Sequence, residues 1–571
     1  MEMRGYTLAF LGMFLILSLA MALAEESLQK SPADAGIMAP SIGKAINDFD
    51  PEVEGFSFEN YGNDTPTADL TPVEVRRLFG DKVCACTYGG ECLLTPPAER
   101  WMEDSNKEIG GGHCAGMAIL SILMYLEMVD PEKFGGPFAH DLTLKGNEPL
   151  QREIAYWWAT DGETPADLNT ISGPTAVLDT LERIQAEGKD ANESYYIGVS
   201  GSSQGGGHAV TPIGAEEDGD GMAKIRVYDP NYPDTVRTIE IDRDSDTFTF
   251  EFTPEPEGEA DIVSGKNITL SPNSLRMEQQ ECPFCYEPVD QEDNIKAGSI
   301  PAKKVGRYVR IWLDGLADLL IIDEHGRRVG RISNGTFINE IPEAKIKSQI
   351  DKGSDEGIAG RRAETRPEYF LPEGLNFTVG VDGTRLERAC NQNLSVIGPG
   401  YDLLVEDLWL DPGERDHIDI STAIGDYRLT YRSNYTESPD IIIGTDAKDA
   451  DYEFVVRDVQ AESGGRLSAE LDMNRGRFIL DTLGNNKPGK FGLLMHRLDD
   501  KGEQFFGNDD IILRPNDSLY LDFLAWKGEG SGIPLSIDHG SKGSIDETLE
   551  LKDESDFYKN YYEDWEGGSA S

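Results

Sequence analysis

The sequence is short of positive charge. It has 52 Lys and Arg against 104 Asp and Glu, a formal net charge of −52. Phosphate backbones are gripped by clustered cations, so nucleic acid is excluded as a main partner, and an anionic membrane surface is disfavoured for the same reason. Histidine and cysteine are scarce too, at 7 residues each. His325, His417, His496 and His539 are scattered, with no metal-ligand spacing among them. Beyond the N-terminus no stretch reaches the roughly 18 apolar residues that a membrane-spanning helix needs. What is present is ample material for a core. Hydrophobic residues make up 39% and aromatics 9% of 571 residues, which excludes a disordered chain. At roughly 150 residues per domain, the length accommodates about three or four domains.

The N-terminus sets the expected compartment. Arg4 is a short positive region, the chain is apolar from Leu8 to Leu23, and Ala22-Leu23-Ala24 precedes Glu25-Glu26. This pattern predicts a secretory signal peptide over residues 1–24, with a retained anchor as the alternative. The mature chain is expected to be secreted or on the extracellular surface, with no transmembrane segment. Sequons at Asn63, Asn192, Asn267, Asn334, Asn376, Asn393, Asn434 and Asn516 are compatible with export.

Residues 25–48, small and Pro/Ala-rich, read as a linker or pro-segment. Residues 49–295 read as an α+β domain. Helices are predicted over Ala115–Met128, Leu150–Trp158 and Thr175–Glu187, where apolar residues recur at helical spacing. Strands follow over Tyr195–Ser200, Ala209–Glu216, Ala223–Tyr228, Thr235–Ile241 and Thr247–Phe252. Later residues carry almost no helical signal. They predict β-sandwich-like domains over 300–390 and 391–540, then an exposed acidic tail over 541–571. No short-period repeat stands out.

Two segments carry chemistry. Gly110-Gly111-Gly112-His113-Cys114-Ala115-Gly116-Met117 runs straight into the apolar helix. A cysteine at a helix N-terminus sits where backbone N–H groups and the helix dipole favour the nucleophilic thiolate. Gly205-Gly206-Gly207-His208-Ala209-Val210 opens a predicted strand, whose hairpin partner returns through Tyr228 to Asp229-Pro230-Asn231. That hairpin sets a general base, His208, beside an orienting group. Taken singly, Cys114 reads as a core cysteine, His208 as a strand histidine and Asp229 as a turn carboxylate. Their order on these elements favours a catalytic set. His113 is given no role beyond a pocket wall, because neighbours on a helix do not face each other.

Gly-His-Cys-Ala-Gly-Met at a helix start, followed by Gly-Gly-His-Ala-Val-Thr-Pro and Val-Tyr-Asp-Pro-Asn-Tyr-Pro, resembles the Cys and His–Asp boxes of the papain-like cysteine peptidase superfamily. It is also similar to double-glycine peptidases and transglutaminases. The resemblance covers about residues 75–255. It implies a papain-like domain with Cys114 as nucleophile, His208 as base and acid, and Asp229 as the orienting carboxylate; Asn231 is the alternative third member. Such peptidases carry a Gln shortly before the nucleophile as an oxyanion donor. Here that position is Glu108, which cannot donate when ionised. Asn106 and Gln204 are the side-chain substitutes, and the Cys114 N–H a backbone one.

Setting Cys114 aside, Cys84, Cys86, Cys92, Cys282, Cys285 and Cys390 form an even set suited to disulfides in an exported protein. Cys84 and Cys86 are too close to pair with each other. A zinc site from Cys84, Cys86, Cys282 and Cys285 is the alternative by ligand type. Asp242, Asp244 and Asp246 alternate as an EF-hand loop begins, but Thr247 and Thr253 stand at the Gly and Glu positions, leaving surface calcium a minor option. No catalytic cofactor or metal is expected.

The leading expectation is a secreted cysteine peptidase or amidase acting on a protein or peptide substrate. Transglutaminase-like acyl transfer on the same triad is the second. The third is an inert cell-surface or envelope protein that binds through its β-domains.

Overall fold

The computed structural model describes residues 44–555, apart from 63–66, 89, 162–169, 201–206, 253–260, 287–306, 333–334, 351–364, 424, 448–449 and 529. The expected signal peptide, Gln204 and the last residues of the expected tail lie outside these. The fold is mostly antiparallel β, with helices gathered in the first half.

That half holds helices α1 (Pro51–Glu54), α2 (Pro72–Phe79), α3 (Pro96–Ile109), α4 (Cys114–Tyr125), α5 (Glu148–Ala159) and α6 (Pro174–Glu187). Proline stands in the first two positions of all of these except α4. Its fixed φ suits a helix start, and its missing N–H costs nothing there. Helix α4 opens on Cys114 and keeps its first-turn donors. A short hairpin, β1 (Cys84–Tyr88) with β2 (Glu91–Leu94), precedes α3. An antiparallel sheet follows, comprising β3 (Ile171–Ser172), β4 (Tyr195–Ser200), β5 (Gly207–Gly219), β6 (Met222–Tyr228), β7 (Val236–Asp242), β8 (Thr247–Phe252), β9 (Asp261–Gly265) and β10 (Ile268–Pro272). Its order is β3-β10-β4-β5-β6-β7-β8-β9. Helix α6 packs on one face through Val177, Leu178 and Leu181.

From β11 (Tyr308–Asp314) onward the chain is one large barrel-like sheet with two facing layers. Hairpins alternate between the layers, and the arrangement recurs over 390–433, 440–483 and 489–538. This structural repeat leaves no repeat visible in the sequence. The last described strand, Glu547–Asp553, pairs with Ile533–Asp538 of one layer and meets Gly502–Leu513 of the other at Phe506 and Gly507, so it bridges the layers at that end. It falls within the expected tail, with Leu551 buried. The expected boundary at Cys390 opens a strand, Cys390–Gly398, that pairs directly with β11. One hydrophobic core runs from Val309 to Leu551 across that point.

Helix α3 joins the halves. One side meets α2 and α5; the other meets strands Cys390–Gly398, Tyr401–Leu410, Asp440–Thr445 and Asp451–Arg457. The contact is charged. Arg310 on β11 lies 2.6 Å from Glu368 and also bonds Glu108, with Asp104 at 3.7 Å. Arg100 lies 2.5 Å from Glu103 and 3.7 Å from Asp402. Phe284 adds an apolar contact against Phe79 and Trp101, and its carbonyl accepts from Gly400 N–H at 2.7 Å. No helix among the described residues is long and apolar enough to cross a membrane.

Candidate active site

Helix α4 is apolar nearly all round, CAGMAILSILMY, and every residue after Cys114 is buried. It lies against α5 closely enough that a Cβ on Gly116 would sit 2.0 Å from the Ile154 carbonyl oxygen. Only glycine allows that crossing. On its other side, Thr211 of β5 donates to Ala118 O at 2.8 Å and meets Ser121 Oγ at 3.2 Å. These contacts set the height of α4 against β5, and hence of Cys114 against His208.

His208 lies near the start of β5, paired with Val199 of β4. The β5–β6 register pairs Thr211 with Tyr228, so Asp229 comes level with Val210, diagonally across from His208 on the same face. His208 Nε2 and Asp229 Oδ1 are 2.7 Å apart, with side chains 3% and 0% exposed. The same oxygen accepts from Asn231 N–H at 2.9 Å, while Oδ2 is buried with no hydrogen-bond partner among the described residues. Cys114, half-buried, comes within hydrogen-bonding reach of His208. With Nε2 taken by Asp229, Nδ1 is the ring nitrogen left for the sulfur.

Burial alone would push the His208 imidazole down. The charge and hydrogen bond of Asp229, joined by Cys114, overturn that and raise it to about 10. A cationic imidazole beside a helix-start cysteine favours the thiolate.

The structure thus brings Cys114, His208 and Asp229 together. Asn231 is engaged elsewhere: its Oδ1 accepts from Asn60 Nδ2 at 2.9 Å. Asn106, expected as an oxyanion donor, spends its amide on Leu70, accepting from its N–H and donating to its carbonyl, both at 2.9 Å. Glu108 faces away from the cleft into the α3–sheet contact, bonded to Arg310. His113 is not a pocket wall. It is the N-cap residue of α4, buried, stacked on Tyr61 at 3.9 Å, and within 3.0 Å of Asp69 Oδ1.

Two disulfides are present, Cys84–Cys92 and Cys282–Cys285; Cys86 and Cys390 are unbridged. Three of the four cysteines considered for zinc are therefore bonded as disulfides. Among the described residues no cluster of three or more His, Cys, Asp or Glu is placed to hold a metal. Asp242 accepts from the N–H groups of Asp244 and Ser245, closing the β7–β8 turn. Comparison with family models, with curated proteins and with solved structures finds no match to this chain.

Proposed function

We propose that the protein is an exported cysteine hydrolase with a papain-like α+β first half, cleaving amide bonds in protein or peptide substrates through a Cys114 thioester. One observation carries this reading: a buried His208, bonded to Asp229 at 2.7 Å, meets Cys114 at the start of α4. Disulfides persist mainly in oxidising compartments, which supports export.

In the resting site the proton sits on His208 and the thiolate on Cys114. The sulfur attacks the substrate carbonyl carbon, and the C=O electron pair moves onto oxygen. First-turn amides of α4, which have no intrahelical acceptor, face that charge. Collapse breaks the C–N bond as His208 gives its Nδ1 proton to the leaving amine. Neutral His208 then takes a proton from water, the hydroxide adds to the thioester, and collapse releases the acid and the Cys114 thiolate. An amine in place of water would give acyl transfer on the same residues.

The test is iodoacetamide labelling of Cys114 from pH 4 to 9, in wild type and His208→Ala, with Cys114→Ala as the blank. The expected result is rapid labelling below pH 7 that is lost in His208→Ala. Labelling only above about pH 8, as an ordinary thiol behaves, would overturn the reading and leave an inert surface protein. Product analysis then separates hydrolysis, which gives a free acid, from transfer, which gives a crosslink.

A further inference from the structure

The segment before α2 reaches the site through Asn60 and Tyr61, and Asn60 touches both sides of it. Asn60 is 7% exposed and makes contacts in two directions. Its backbone N–H donates to Pro230 O at 2.8 Å, and its Nδ2 donates to Asn231 Oδ1 at 2.9 Å. Its Oδ1 accepts from the His113 N–H at 2.8 Å. The first pair grips the loop that carries Asp229. The last grips the residue immediately before Cys114.

We infer that Asn60 is a positioning residue that sets the distance between Cys114 and the His208–Asp229 pair. This rests on the hydrolase reading and deepens it. Thr211 ties α4 to β5 within the core, one turn along α4 from the nucleophile. That contact lies a turn inside the helix, away from its cleft end. Asn60 bridges the cleft end, where a small rotation moves the sulfur most. The surroundings fit the clamp. Gly112 has φ +147°, and a Cβ there would lie 3.3 Å from Asn60 Nδ2. The His113 ring is held as well, with Nδ1 2.9 Å from Tyr61 O. The nucleophile is thus approached through a residue fixed at its backbone and its ring by the segment that contains Asn60. Because the thiolate is stabilised by the imidazolium beside it, the Cys114 titration reads their separation.

The experiment compares full-length wild type with Asn60→Ala and the milder Asn60→Ser. It measures the rate of iodoacetamide labelling at Cys114 from pH 4 to 9 alongside thermal unfolding. In Asn60→Ala the acid limb should move up by about one pH unit, a roughly tenfold loss of rate below it. Asn60→Ser should move it less, in the same direction. A purely structural role would lower the melting temperature and leave the limb in place. Wild-type limbs in both variants would overturn the clamp while the hydrolase reading stands. A wild-type Cys114 that labels only above about pH 8 would sink the hydrolase reading, and the clamp with it.

Discussion

Two buried sites in this protein bring charge out of water, and they settle it in opposite ways. At the cleft, one carboxylate faces one imidazole at 2.7 Å, and the cation wins: His208 is held protonated, to about 10, against the burial penalty. At the α3 contact, carboxylates outnumber cations. Arg310 serves Glu108, Glu368 and Asp104, while Arg100 serves Glu103 and Asp402. There burial pushes Asp402 up to about 7 despite Arg100, with Glu453, Glu103 and Asp104 adding to the rise. Glu406, on the same strand, is also raised by burial to about 7. Glu108 and Glu368 divide the protons around Arg310: burial raises Glu108, whereas for Glu368 burial, the largest single influence, is outweighed by Arg310, Lys347 and the hydrogen bond with Glu108 together, and it is lowered. The burial cost is common to both sites. The ratio of partners decides whether it is met by an ion pair or by a proton.

Removing a cation from the crowded site should have the largest effect. Arg310→Met leaves Glu108, Glu368 and Asp104 facing one another without it. Breaking a buried pair in this way costs about 3–5 kcal/mol. Calorimetry should show a lower transition, or separate transitions for the helical half and the large sheet. The loss should shrink toward pH 5, where the acids take up protons. A loss equal at pH 5 and pH 8 would mean that protonation does not relieve the site.

The cleft should respond more locally. Asp229→Asn keeps the shape and removes the counter-charge, leaving burial to push His208 down. With the imidazolium lost, the acid limb of Cys114 labelling should move up toward the ordinary thiol value of about 8.5. Labelling from pH 4 to 9 measures it directly. An unchanged limb would show that Asp229 does not set the His208 charge.

The smallest effect is a slope. A buried acid with a raised folded value stabilises fully below the ordinary carboxylate range and loses that contribution as pH rises through the raised value. For Asp402 and Glu406 that window runs from about 4 to about 7. His208, raised as a base, loses its contribution between its unfolded value near 6.5 and about 10. Both act in the same sense, so the melting temperature should fall as pH rises from 5 to 8. Asp402→Asn should flatten part of that fall. A wild-type slope in this variant would take Asp402 out of the account.

Much of the helical half was legible. Strands Tyr195–Ser200 and Thr247–Phe252 form where their pattern predicts, and the motifs that single out Cys114, His208 and Asp229 meet in space. Helix α3 was not legible, for the reason the comparison supplies. Its face toward the large sheet buries Arg100, Glu103 and Asp104, so it lacks the apolar stripe that announces a buried helix. Strands Asp440–Thr445 and Gly489–Asp499 escaped for a related reason. Both carry nearly unbroken buried runs, and the alternation that marks a half-solvated strand is erased. Asn60, a lone Asn between Glu59 and Tyr61-Gly62, reads as a turn residue. Its role depends on partners far along the chain.

In the large sheet each hairpin pairs on the edge of the hairpin before it in its own layer. Such stacking has no length of its own, and wherever it stops it exposes two unpaired edges on which a foreign strand could continue. Glu547–Asp553 takes hydrogen bonds from both layers at once. It bridges the two edges there, along Ile533–Ile537 of one layer and at Phe506 and Gly507 of the other. A chain in which Glu547–Asp553 cannot dock therefore presents both edges to neighbours at once.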